Sequence, residues 1–291
     1  MDLQRDFYKK VEDVGYLNHV LYSDTDSIYI CIPTDINNFT IDQKLDLARK
    51  VSVDINNDIL SYLFDSFFKR SNIDQQYNTT DFKTEMILDS MMFIPDVKKQ
   101  YAYKMISEGS EIFDPPRTDY KGIQVVRSDA SNLGKRILRE VIENIVLNSD
   151  IKKKDKIQHI INIINNAHQE FLNLCSEFKL EDVTISSKWG KDKSIINSMM
   201  LYNFIIGSNI FLPMSAGRFL YCKFGNIPKL KASGVDLTKI NAISIPYNYS
   251  SDVLKEKFQE YSITIDTNKQ WERVYTTTVQ RIVDLVKGEA K

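Results

Sequence analysis

Apolar positions change period several times along this chain, and each change marks an element. Residues 3–14 alternate charged and apolar positions at helical spacing and stop at Gly15, which predicts a short helix. Residues 18–32 read as two short strands around Ser23-Asp24-Thr25-Asp26-Ser27, with Ile28, Ile30 and Ile32 on one face by the period of two. Thr40 and Gln43 then form a capping-box pattern at the start of a long helix. Its buried stripe is Leu45, Ala48, Val51, Ile55, Ile59 and Leu63, at spacings of three and four. Residues 81–105 are rich in β-branched, aromatic and Met side chains and predict two strands with a turn at Pro95–Asp96. The polar, Pro-containing stretch 107–120 reads as the main domain boundary.

The remainder reads as mostly helical. Leu133, Ile137, Val141 and Ile145 stripe one helix; Ile157, Ile160, Ile164, Ala167, Phe171 and Leu174 stripe another. Strand-like segments cover Arg218–Phe224 and Ala242–Pro246, and a last helix from about Asn268 to Val286 turns Trp271, Tyr275, Val279 and Ile282 inward. The predicted class is α+β. Antiparallel strands with helices fill residues 1–118, and a mostly α-helical domain with a small β element fills residues 119–291.

Composition changes this picture little. With 38 Lys and Arg against 39 Asp and Glu the formal charge is −1, so any nucleic-acid site has to be a local basic stripe. Cys31, Cys175 and Cys222 are too far apart for a zinc ribbon or an iron–sulfur cluster, and they suit a reducing compartment. The first residues are charged and carry no secretory signal. The most apolar stretch, Ser198 to Met214, is interrupted by Asn203, Gly207, Asn209 and Pro213 and is too short and polar to span a bilayer. The expectation is a cytoplasmic protein with no membrane segment. The many Asn, Ile and Lys residues suggest an AT-rich genome, with a lean towards a virus or phage.

The sharpest chemical signal is Tyr22-Ser23-Asp24-Thr25-Asp26-Ser27. Two carboxylates two residues apart on an extended chain share a side, with Cα atoms roughly 7 Å apart. Holding like charges so close favours a neutralising cation, and Mg²⁺ takes such oxygen ligands while leaving room for phosphates. On its own Asp-x-Asp is also common in surface turns. A calcium-binding EF-hand loop is excluded, because Ile28 and Tyr29 occupy its fifth and sixth positions and no Glu stands at the twelfth.

The longer string resembles motif C of the family B DNA polymerases, usually Tyr-Gly-Asp-Thr-Asp-Ser, with Ser23 in place of Gly. The resemblance implies that Asp26 is a direct ligand of the catalytic metals and Asp24 the supporting acid, both catalytic. Lys98-Lys99-Gln100-Tyr101 resembles the downstream Lys-Lys-Arg-Tyr motif, whose Lys and Tyr approach DNA at the primer terminus; Gln100 departs from it. Glu85 stands where family members carry an acid near the metals. Lys121-Gly122 through Asp129 resembles the segment that opens the thumb, with Gln124 and Ser128 as departures. Lys135, Arg136 and Arg139 then fall on one polar helix face, which reads as the local basic stripe for a duplex backbone. The last hundred residues match the family only loosely.

By this resemblance residues 1–118 are the C-terminal part of a polymerase palm and residues 119–291 the thumb. The expected ligands are primer–template DNA, dNTP and Mg²⁺. The family also needs a motif A aspartate, a fingers helix and an exonuclease domain, all preceding motif C, which here begins about twenty residues from Met1. The reading that follows is a split polymerase, inactive without an N-terminal polypeptide that carries exonuclease, motif A and fingers. The alternative is a non-catalytic DNA-binding or scaffold module derived from a polymerase, and a piece of a longer chain is a third reading.

Overall fold

A computed structural model of the chain describes residues 20–24, 27–32, 39–77, 83–94, 97–123, 125, 130–148 and 150–288. The predicted helix over 3–14 and the turn at Pro95–Asp96 lie outside the described residues. The chain forms two compact units: residues 1–89 with 105–117, and residues 90–104 with 118–291.

In the first unit, strand β1 (Val20–Asp24) pairs antiparallel with β2 (Ser27–Ile30). Tyr22 faces Tyr29, Ser23 faces Ile28 and Asp24 faces Ser27, with a register shift between Val20 and Tyr22. Ile32 falls beyond the strand. Helix α1 (Ile41–Asp54) opens with the predicted box: the Thr40 hydroxyl accepts from Gln43 N at 3.3 Å, and Thr40 N donates to Gln43 Oε1 at 2.9 Å. A π-helical turn (Ile55–Leu60) separates α1 from α2 (Ser61–Arg70). Such a turn adds a residue to the repeat and moves the inward stripe along the chain. Leu60 therefore joins Ile55 and Leu63 as a buried residue. Val20, Ile30, Val51 and Phe64 pack on these three, so the hairpin is seated on the helix by apolar contact.

Strands β3 (Met86–Phe93), β4 (Tyr101–Glu108) and β5 (Glu111–Lys121) form one sheet in that order. Strand β5 runs through most of the stretch 107–120, which the sequence reading gave as the domain boundary. It contains Pro115 and Pro116 and is an edge strand, where a missing N–H need not break a ladder. Arg117 also lies over the Phe113 ring at 4.3 Å and pairs with Glu108 at 2.9 Å. In the first unit the Thr84 hydroxyl donates to the Ala48 carbonyl at 3.3 Å, and Lys44 pairs with Asp89 at 3.6 Å.

The second unit holds the larger core. Helix α3 (Asn132–Val141) starts at Ser131, whose hydroxyl accepts from Gly134 N at 3.1 Å. A π turn (Ile142–Val146) follows it, and Leu133, Ile137, Val141 and Ile145 are all buried, as the stripe predicts. Helix α4 (Lys153–Ser176) buries Ile160, Ala167 and Phe171, and leaves Ile164 and Leu174 partly buried against the same core. Strands β6 (Ile185–Lys188), β7 (Ala216–Phe224) and β8 (Ala242–Ile245) make an antiparallel sheet, and β9 (Ile263–Ile265) pairs with the far end of β7. The sequence reading found β7 and β8 but not β6 and β9.

Helix α5 (Lys193–Ile206) lies before β7, and α6 (Ile227–Lys231) and α7 (Ser251–Glu260) flank β8. The predicted last helix is three consecutive pieces: α8 (Thr267–Trp271), a π-helical stretch (Glu272–Gln280) and α9 (Arg281–Lys287). Gln270, fully buried, accepts from Tyr221 N at 2.9 Å and donates to the Val183 carbonyl, which ties α8 to β7. No helix among the described residues is long and apolar enough to cross a membrane.

Phe171 is fully buried in this core. Phe171→Ala should therefore destabilise the second unit by about 3–5 kcal/mol, whereas Ser131→Ala, which removes only a cap, should cost about 1 kcal/mol. Equilibrium urea unfolding of both variants checks the ranking.

Candidate metal and nucleic-acid site

The acidic hairpin and the basic segments lie in different units, so each is built separately. In the first unit, the ladder ends at the pair Asp24–Ser27. The side chain of Asp24, and Thr25 and Asp26 altogether, lie outside the described residues. The described part of the hairpin is well anchored: Val20 pairs with Ile30, and both pack on the Ile55–Leu60–Leu63 cluster. The Tyr22 and Tyr29 rings lie 5.9 Å apart. Glu85, exposed just before β3, accepts from Gly109 N through its carbonyl at 2.8 Å. Among the described residues no group of three or more His, Cys, Asp and Glu side chains is placed to hold a metal ion.

In the second unit, Lys98 and Lys99 sit exposed in the turn between β3 and β4. Lys99 adopts φ +60°, and the turn is closed by Ile94 N donating to the Gln100 carbonyl at 3.0 Å. Tyr101 opens β4, half-buried, with its ring 5.7 Å from Phe93 and stacked on Tyr103 at 6.0 Å. Tyr103 is buried, and its hydroxyl donates to Asp119 Oδ2 at 3.2 Å. Asp119 Oδ1 in turn accepts from Tyr120 N at 2.8 Å. Lys121, exposed at the end of β5, has its ammonium 3.9 Å from Asp119. Arg127 lies outside the described residues.

The helix-borne cations are less free than their spacing suggests. Arg136 pairs with Glu170 on α4, and Arg139 lies 3.9 Å from Glu143. Lys135 is partly buried. Glu143 also accepts a hydrogen bond from the Tyr120 hydroxyl. Burial first, and then this bond to a carboxylate, push the Tyr120 phenol well above the ordinary tyrosine range.

Sequence reasoning singled out the Lys98–Tyr101 turn and the Lys121 strand end but not the residues packed behind them, Tyr103, Asp119 and Glu143. One signal was present. Tyr101 and Tyr103 alternate in a strand and so share a face. Asp119 and Glu143 had no local signal, because their partners lie 16 and 23 residues away. Trp189 packs against the core. His168 lies against the rings of Phe171 and Trp271.

Residues 3–204, more than half of the chain, match the family described as DNA polymerase family B, and the chain belongs to that family. A DNA polymerase from Choristoneura biennis entomopoxvirus is 29% identical over 154 residues, which are 53% of this chain and 14% of that relative. The chain thus spans a small part of the length of that curated relative.

The raised Tyr120 ionisation has a direct readout. Followed by phenolate absorbance, the alkaline titration below roughly pH 11 should be unchanged by Tyr120→Phe, because an ordinary phenol ionises there and this one stays protonated. Loss of one titrating phenol in that range would overturn the buried Tyr120–Glu143 bond.

Proposed function

We propose that this chain supplies motif C of the palm and the thumb of a DNA-directed DNA polymerase, with residues 1–118 as the palm portion and 119–291 as the thumb. The reading is carried by one observation: in a chain belonging to DNA polymerase family B, Asp24 and Ser27 end the ladder of a hairpin seated on a helix, and Thr25-Asp26 stand between them in the sequence Tyr22-Ser23-Asp24-Thr25-Asp26-Ser27. The donor chemistry fits Mg²⁺: two carboxylates two positions apart are hard oxygen ligands that leave space for water and phosphate. Asp26 would hold the ion, with Asp24 supporting it and Glu85 a further acid on the same unit. Two bound divalent ions supply a lowered pKa at the primer 3′-hydroxyl and neutralise charge on the leaving pyrophosphate.

The chain's own residues then hold the substrates. Lys98, Lys99 and Lys121 are exposed cations on the second unit, suited to phosphates of primer–template DNA, and Tyr101 offers a ring and a hydroxyl beside them. Arg127, Lys135, Arg136 and Arg139 extend that grip along the thumb. A motif A aspartate, fingers and an exonuclease domain are proposed to come from a partner polypeptide, and the complex to act on dNTP in the cytoplasm of an infected cell. The rival, a DNA-binding scaffold without turnover, leaves the paired aspartates without a task.

Primer extension with this chain mixed with a polypeptide carrying motif A tests the proposal. Asp26→Ala should lower the rate by about 10³-fold or more, since several kcal/mol of charge stabilisation depends on the ligand. Turnover by this chain alone would refute the split arrangement, and duplex binding with no Mg²⁺-dependent turnover beside its partner would favour the scaffold. A second expectation follows from the Arg136–Glu170 pair. An exposed ion pair is worth about 0.2–1 kcal/mol, so Glu170→Gln should tighten duplex binding by up to about fivefold by freeing Arg136. Fluorescence anisotropy on a labelled duplex reads that change, and adding Arg136→Ala should abolish it.

A further inference from the structure

Two segments of the second unit that the proposed function treats separately, the Lys98–Tyr101 turn and the Lys121-Gly122 strand end, meet backbone to backbone. Gly122 adopts φ +63° directly beyond β5, and Lys99 adopts φ +60° two positions before Tyr101, where β4 begins. The approach is so close that a Cβ on Gly122 would fall inside van der Waals contact with the Lys99 carbonyl oxygen, 3.1 Å from Gln100 Cγ and 3.3 Å from the Lys99 carbonyl carbon. Two of those three atoms are backbone, which cannot swing aside as a side-chain end would. Only glycine combines this φ with this contact.

A second strut joins the same two segments further along. Tyr103, behind Tyr101 in the stack, donates its hydroxyl to Asp119, two residues before Lys121. Asp119 is held by the Tyr120 N–H and faces the Lys121 ammonium at 3.9 Å. Beyond the seam, Ile123 and Val125 are buried in the main core with α3. The turn that presents Lys98 and Lys99 is therefore braced by the chain that leads into the thumb helices.

We propose that Gly122 and the Tyr103–Asp119 pair are positioning residues. They fix the Lys98–Tyr101 turn against Lys121, so that the three lysines and Tyr101 present one rigid phosphate-binding edge to duplex DNA. This rests on the proposed polymerase reading, because that reading makes the duplex the ligand of the lysines. Neither Gly122 nor Asp119 need touch DNA; they act through the turn. A lysine held in place loses less side-chain and backbone freedom when it meets a phosphate, so bracing converts directly into affinity.

The chain itself offers an internal control. Gly109, in the turn between β4 and β5, has φ +57° and no atom within 4 Å of where a Cβ would stand. Gly109→Ala thus carries the backbone cost of a left-handed residue without the collision. The experiment measures the Kd of the full chain for a fluorescein-labelled primer–template duplex by anisotropy across a salt series, beside urea unfolding of each variant. Gly122→Ala should weaken binding by about tenfold and flatten the salt dependence by about one to two phosphate contacts. Gly109→Ala should bind within about twofold of the parent chain. In a double-mutant cycle, Lys98→Ala with Lys99→Ala should cost affinity in the parent and little further in the Gly122→Ala background.

Should Gly122→Ala not fold, Tyr103→Phe keeps the ring and removes the hydroxyl that bonds Asp119. It should weaken duplex binding by about two- to fivefold, about the worth of one hydrogen bond or less. Parent-like binding by Gly122→Ala, or additive lysine losses in its background, would overturn the positioning role while leaving the lysines as DNA ligands. A parent chain whose duplex affinity ignores Lys98→Ala and Lys99→Ala would overturn the DNA reading itself.

Discussion

The second unit depends on burial of one helical stripe. Leu133, Ile137, Val141 and Ile145 on α3 and its π turn are withdrawn from water against Phe171 and Ile160 of α4. The strand residues Met92, Ile94 and Ala102 belong to the same cluster, as do Ile123 and Val125 of the connecting chain. Apolar burial has no direction of its own, so the polar groups at the rim choose the register. Ser90 donates to the Leu147 carbonyl at 2.9 Å, Lys156 donates to the Val146 carbonyl at 2.9 Å, and Tyr120 donates to Glu143. Each bond fastens a strand or a helix start to the end of the α3 segment. Lys156 is only partly exposed for this reason, and desolvation with the nearby Lys104 charge lowers its pKa.

That core governs electrostatics as well as packing. A near-neutral chain grips a polyanion only where its cations escape its own carboxylates. On α3 the guanidinium groups do not escape fully, since Arg136 meets Glu170 and Arg139 meets Glu143. In the β3–β4 turn, Lys98 and Lys99 stand exposed, with Lys99 in the left-handed region. A face that is basic in sequence becomes partly neutral once the fold brings a second helix alongside.

Much of this was legible before the fold. Helix stripes depend on a period that neighbours cannot alter, so Leu133, Ile137, Val141 and Ile145 were found correctly, as was the capping box at Thr40 and Gln43. The hairpin around Asp24 was legible because two short β-branched runs flank a polar turn. The failures share one cause. β5 was hidden because Pro115 and Pro116 argue against a strand unless the strand is known to be an edge, which only the sheet order reveals. A π turn brings Leu60, which lies off the predicted stripe of the long helix, into the core, and nothing in the local pattern announces such a turn. Partners far apart in sequence, such as Tyr103 with Asp119, leave no periodic trace at all.

The contrast between the units bears on how motif C could work. Carboxylates that share a cation gain from rigidity, because a ligand set that drifts by an ångström loses the geometry that stabilises developing charge. Among its described residues the first unit secures the hairpin through three buried side chains, Ile55, Leu60 and Leu63, with Val20 and Ile30 reaching them from opposite strands. The described residues of α1 include no buried one, whereas α3 buries half of its ten. The chain thus invests its tight packing behind the proposed DNA grip and comparatively little behind the proposed metal ligands. In a polymerase assembled from more than these residues, packing against a motif A region would add to the support that Ile55, Leu60 and Leu63 give the proposed metal hairpin.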